Sequence, residues 1–142
     1  MSELMKTYTY DFPIRIHDVD AAGIVFFAKY FTLAHNVYEQ FLADIGHSIP
    51  KAISDGNHII PIAHSECHYR APMRHGDQIT GELRLKEIRG TSFIVEITLT
   101  GDDGIHRATV TTRHVCVGAK SMKPIPIPDD LRAALSDYLT VT

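Results

Sequence analysis

The residues with the greatest chemical potential stand in one short stretch, His17-Asp18-Val19-Asp20-Ala21-Ala22-Gly23-Ile24-Val25-Phe26-Phe27-Ala28-Lys29-Tyr30-Phe31. Two carboxylates, Asp18 and Asp20, precede an apolar run; burial and a neighbouring like charge are what tune a carboxylate. Just downstream a helix begins around Phe27 or Ala28 without a Ser, Thr, Asp or Asn to cap it. The first N–H groups of such a helix lack a side-chain partner, and with the helix dipole behind them they can hold a developing oxyanion. Gly23 lets a substrate come close to the backbone. A carboxylate that makes or activates an attack, facing amides that hold a tetrahedral oxygen, is the equipment for acyl transfer to water. On pattern alone the competing reading is a surface turn with two solvated aspartates. A calcium loop is excluded, because Ala22 stands where a third oxygen ligand belongs and Lys29 where the closing Glu would be.

Nine histidines are many for this length. His64, Glu66 and His68 fall on one strand face by alternation, which outlines a metal triad. Zinc asks for a further ligand or a water, and such alternation is more often a polar strand face, so no metal is expected. Cys67 and Cys116 match no paired metal or redox spacing and read as free thiols of a reducing compartment.

These residues need elements to position them. From Thr7 to His17 the chain alternates strictly, with Tyr8, Tyr10, Phe12, Ile14 and Ile16 to one side, which is a half-buried strand; Pro13 marks an edge or a bulge. The period then changes. Phe27, Tyr30, Phe31, Ala34, Val37, Tyr38, Phe41, Leu42 and Ile45 recur at helical spacing, closed by Gly46. Strand patterns follow at Ile59 to Tyr69, Ile79 to Ile88, Phe93 to Leu99 and Ile105 to Val117, with tight hairpins at Arg89–Ser92 and Gly101–Gly104. After the proline-rich stretch at Pro124, Pro126 and Pro128, Asp129 and Asp130 open a short helix. The order predicts strand, long helix and a meander of four strands, hence an α+β fold with antiparallel pairing. A sheet whose edges need managing suits pairing with another subunit.

The 142 residues fit a single domain, 1–142, with 44% hydrophobic and 22% charged residues. A net charge of −3 argues against a nucleic-acid footprint. No apolar stretch has signal-peptide length or approaches the roughly 20 residues of a membrane span, so a cytoplasmic protein is expected.

The string Asp18 to Phe31 resembles the signature of the 4-hydroxybenzoyl-CoA thioesterase family of hot-dog proteins, and the match in element order runs over nearly the whole chain. The resemblance implies an antiparallel sheet of five to six strands wrapped around one long central helix. It implies that Asp20 is the catalytic carboxylate and that the backbone N–H of Phe27 polarises the thioester carbonyl. Several relatives carry Tyr or His where Phe27 stands, so an assisting hydroxyl or ring is absent here, though a backbone donor does not need one. Pro61-Ile62-Ala63-His64-Ser65, the Ala71–Asp77 turn, Arg113-His114-Val115-Cys116-Val117 and Lys123-Pro124-Ile125-Pro126 are similar to the branch acting on 1,4-dihydroxy-2-naphthoyl-CoA in menaquinone and phylloquinone synthesis. The resemblance implies hydrolysis of an aromatic acyl-CoA. A short- or medium-chain aliphatic acyl-CoA thioesterase, a hot-dog dehydratase and a non-catalytic acyl-CoA-binding module are the alternatives.

Gly23, Val25 and His64, the last placed in a substrate-binding strand by the resemblance, are the candidate substrate contacts, with His114 a weaker one; Arg89 with Ser92, or Lys120 or Lys123, are the candidates for the coenzyme A phosphates, which require basic partners. Coenzyme A is part of the substrate, and no separate cofactor is expected. A homodimer or dimer of dimers is implied, with each site at the subunit boundary.

Overall fold

A computed structural model of the chain describes residues 6–140. Strand β1 is Tyr8–Pro13, followed by one 3-10 turn at Ile16–Asp18. Helix α1 spans Lys29–Asp44 and α2 spans Ile49–Asp55. Then come β2 (His58–Ile59), β3 (Ile62–Tyr69), β4 (Gln78–Ile88), β5 (Ser92–Gly101), β6 (His106–Val115), β7 (Val117–Gly118) and α3 (Asp129–Ser136). Five strands form one antiparallel sheet in the order β1-β4-β5-β6-β3, and β2 pairs with β7 separately.

That order corrects the expected four-strand meander. β4, β5 and β6 are joined by hairpins, but β3 pairs with β6 and stands at the sheet edge. The connection from β3 to β4 holds a turn of its own, with Asp77 N–H donating to Arg74 O at 3.0 Å, but forms no hairpin between the two strands. Arg70 and Ala71 donate to Arg107 O, and Met73 O accepts from Val25 N–H, so its hydrogen bonds tie it to other segments. β1 stops at Pro13, where a locked φ and a missing donor end the ladder. Tyr8, Tyr10 and Phe12 pair with Leu83, Gly81 and Ile79 on the core side, whereas Ile16 lies in the 3-10 turn and is exposed. Pro61 likewise splits the expected strand at Ile59 into β2 and β3. The unforeseen α2 has legible signals: Ser48 Oγ accepts the Lys51 N–H at 3.3 Å, and Pro50 sits in the first turn, where it is tolerated.

The buried face of α1, Tyr30, Leu33, Ala34, Val37, Tyr38, Phe41 and Leu42, recurs every three and four residues. It packs on the inward residues of the sheet, among them Leu83, Leu85, Phe93, Val95, Ile97 and Val110, and α3 adds Leu131 and Leu135. At Gly81 a Cβ would stand 2.6 Å from Val37 Cγ2, so the helix sits closer to β4 than any side chain there would permit. This seat fixes where α1 begins.

Candidate active site

Upstream of α1 the chain makes a tight reversal in which Val19 bridges to Val25. Asp20 N–H donates to Ile24 O at 2.9 Å, and Gly23 N–H to Asp20 O at 2.9 Å. Ala22 N–H donates to Asp20 Oδ1 at 2.8 Å, so the carboxylate is held over its own turn by one oxygen and exposed at the other. Gly23 adopts φ +79°, a left-handed conformation that a side chain would strain. The returning limb docks on the β3–β4 connection: Val25 N–H donates to Met73 O at 2.9 Å, and Ile24 bridges to Arg74.

The two aspartates part company here. Asp18 is buried; its Oδ2 accepts the Arg15 N–H at 2.9 Å, and its Oδ1 lies 3.7 Å from Lys29 Nζ, tying the 3-10 turn to the first residue of α1. Asp18 is thus structural, and Asp20 is the carboxylate left facing outward.

No side chain caps α1 at Ala28. The helix opens through tight three-residue closures, Lys29 N–H to Phe26 O at 2.9 Å, Tyr30 N–H to Phe27 O at 3.4 Å and Phe31 N–H to Ala28 O at 3.3 Å. Among the described residues, the amides of Phe27 and Ala28 find no acceptor. Tyr69, the last residue of β3, donates its hydroxyl to Phe27 O at 2.8 Å, and its ring meets Tyr30 edge-on at 4.8 Å. Phe26 and Phe27 are 51% and 62% exposed with ring centroids 4.6 Å apart, an apolar lip in front of the open amides.

The structure therefore gathers Asp20, Gly23 and Phe27 on one reversal. Val25 joins it through its backbone, and its side chain is buried in the core with Met73. His64 is not brought there. The pairing of Ser65 with Thr112, Cys67 with Val110 and Tyr69 with Ala108 puts those residues on the helix side of β3. His64 and His68 fall on the opposite face, each ring within hydrogen-bonding distance of Glu66, at 3.2 and 3.3 Å. Arg89 and Ser92 lie at the far end of β4, about 33 Å from its start at a strand rise of about 3.3 Å per residue. Ser92 is buried, and Arg89 is exposed with its Nε donating to Glu87 Oε1 at 2.9 Å.

Sequence reasoning gave Tyr69 no role, since nothing in a strand-end tyrosine announces a bond to a helix start. It named His114 only as a weaker candidate and did not foresee the cluster that this residue joins on the inner side of β6. His114 stacks on Tyr38 and Phe93, and burial, with a smaller contribution from His35, holds it well below the usual imidazole range, at about 3.

An uncapped helix start that follows a reversal carrying an exposed carboxylate, on a helix packed against a five-stranded antiparallel sheet, has the form of a hot-dog thioesterase scaffold. Residues 14–135 match the Thioesterase-like superfamily, and the chain belongs to it. Among its relatives is a 1,4-dihydroxy-2-naphthoyl-CoA hydrolase of Synechococcus elongatus, 33% identical over 141 residues, 97% of this chain and 98% of the relative. The crystal structure of a 1,4-dihydroxy-2-naphthoyl-CoA thioesterase from Synechocystis superposes with a TM-score of 0.88 at 26% identity, covering 93% of this chain and 97% of that one. A gentisyl-coenzyme A thioesterase superposes with a TM-score of 0.81 at 26% identity, covering 91% and 99%.

Proposed function

We propose that the chain hydrolyses an aromatic acyl-CoA thioester, in particular 1,4-dihydroxy-2-naphthoyl-CoA, to the carboxylate and free coenzyme A. The observation that carries this reading is the pairing on one reversal of an outward carboxylate, Asp20, with the unpartnered amides that open α1. Asp20 either attacks the carbonyl itself, forming a mixed anhydride that water then hydrolyses to free the product and restore the carboxylate, or takes the proton of a water that attacks the carbonyl directly. The Phe27 N–H holds the oxyanion, the C–S bond breaks, and the thiolate leaves and is protonated. The relatives named above, acting on 1,4-dihydroxy-2-naphthoyl-CoA and gentisyl-coenzyme A, support the choice of acyl group.

The site is completed by a second copy of the chain. β3 is an edge strand with seven of its eight residues exposed, including Ile62 and Tyr69, and an uncovered strand edge is a template for pairing. A two-fold axis at this edge makes the pairing antiparallel and isologous. The end of the sheet carrying Asp20 then lies beside the partner's β4–β5 hairpin, which supplies Arg89 to the coenzyme A phosphates. His64 stays on the outer face of this joint sheet, and a role for it at substrate would need a further dimer packed on that face. No described helix is long and apolar enough to cross a membrane, and both cysteines are free; we place the reaction in the cytoplasm.

The test is release of free thiol across a panel of aromatic and aliphatic acyl-CoAs, with sedimentation of the same preparation. Preferred turnover of hydroxylated naphthoyl-CoA by a dimer or tetramer is expected. Preference for aliphatic chains would replace the substrate, and binding of acyl-CoA without thiol release would replace the enzyme by a binding module.

A further inference from the structure

Tyr38 on α1 and His114 on β6 stack with ring centroids 4.3 Å apart and planes 26° apart, and Phe93 backs His114 at 5.1 Å and 10°. Tyr38 is 3% exposed and His114 1%. The His114 Nε2 lies 2.8 Å from Thr112 Oγ1. Its Nδ1 and the Tyr38 hydroxyl have no partner among the described residues. Buried polar atoms nearly always have one, so two orphans in stacked rings ask what completes them.

Beside them lies a cavity of about 80 Å³ whose walls include Phe31, Ala34 and Ile97, with Ser65 and Thr112 adding hydroxyls. Phe31, Ala34 and Tyr38 recur at helical spacing, so the cavity runs along one face of α1. It also reaches the β3 edge at Ile62 and Ser65, where the two-fold pairing brings the partner's open helix start. Tyr38 and His114 are themselves among its walls, so an aromatic ring entering there meets apolar side chains and packs against these two.

We propose that Tyr38 and His114 are specificity-determining residues that hydrogen-bond a hydroxyl of the aromatic acyl group, an inference that rests on the thioesterase reading above. A hydroxyl both donates and accepts, so it satisfies Nδ1 in either tautomer of His114 and the Tyr38 oxygen with it. Burial keeps both side chains uncharged, which suits a neutral hydroxyl over a carboxylate. A plain alkyl chain in the same space would leave both orphans unpaired, and sites built for a hydroxyl reject analogues lacking it strongly.

The experiment compares kcat/KM for 1-hydroxy-2-naphthoyl-CoA and 2-naphthoyl-CoA in wild type, Tyr38→Phe and His114→Phe. Tyr38→Phe removes one unbonded oxygen and keeps the stack; His114→Phe serves as the second variant should the first not fold. Wild type is expected to prefer the hydroxylated thioester by about 100-fold or more, and each variant to lower that ratio at least about tenfold, the scale of lost hydrogen bonds inside a site. A ratio unchanged in both variants shows that ordered water completes the orphans and overturns the inference alone, as does a wild-type ratio near one. Wild type that hydrolyses neither thioester overturns the thioesterase reading and this inference with it.

Discussion

At the C-terminal end of α1 the late carbonyls have takers: Phe41 O accepts from Ile45 N–H at 3.0 Å, Leu42 O from His47 N–H at 2.8 Å and Ala43 O from Gly46 N–H at 3.1 Å. Gly46, at φ +87°, turns the chain so that these bonds can form, and Asp44 accepts from both the Tyr8 hydroxyl and Gln40. At the N-terminal end there is no cap, two amides lack acceptors and two phenylalanines face outward. One helix thus has an end closed for stability and an end left incomplete. Incompleteness where the chain has capping residues to spare is a structural cost, and it falls where a negatively charged oxygen would be held.

The largest effect should come from removing the exposed carboxylate on the reversal before the open end. Asp20→Asn keeps an oxygen for the Ala22 N–H, so the turn and the melting temperature should hold while kcat falls by about 10³-fold or more, as for residues that act on the reacting atoms. Steady-state thiol release checks this; near wild-type turnover would remove Asp20 from the mechanism. Next is the amide itself. Phe27 occupies the second position of the turn closed by Lys29 N–H and Phe26 O, where proline is favoured, so Phe27→Pro deletes the N–H with little distortion. It should lower kcat about 10²- to 10³-fold, whereas Phe27→Ala, which keeps the N–H, should stay far closer to wild type.

The middle of the helix answers to acid. Unfolded His114 takes up a proton near pH 6.5, whereas the folded residue resists protonation until about 3. Between those values the unfolded state binds more protons, so stability falls as pH falls, by at most about 1.4 kcal/mol per pH unit from this residue. Denaturant melts from pH 7 to pH 4 should show a steeper loss in wild type than in His114→Phe; parallel curves would count against a neutral buried His114. The smallest effect belongs to the closed end. Gly46→Ala forces a left-handed φ on a side chain and should cost about 1 kcal/mol by denaturant titration, with kcat intact. A kcat loss there matching that of Phe27→Pro would erase the distinction between the two ends.

Much of this was legible because it is local. The uncapped start at Ala28, the Gly23 turn and the stripe from Tyr30 to Leu42 are written in residue types and spacing. What escaped depended on pairing across long separations. β3 and β4 are consecutive in sequence yet separated by β5 and β6, and alternation says nothing about which neighbour a strand takes. The register shift between Ile62 and His64 breaks the parity on which any assignment of faces rests, so His64 could not be placed on the outer side in advance. Asp18 and Asp20 looked equivalent in the string; only the fold turned one inward to Arg15 and Lys29. Tyr38 read as one more apolar position, and its missing partner became visible only once His114 lay against it.

The bond from the Tyr69 hydroxyl to Phe27 O has a mechanical outcome. Carbonyl and N–H of a trans peptide point in opposite directions, so gripping Phe27 O from the end of β3 aims the Ala28 N–H away from the strand and stops that plate from swivelling. On the proposed mechanism, the peptide next to the one that donates the Phe27 N–H is thus braced by the sheet before a thioester arrives.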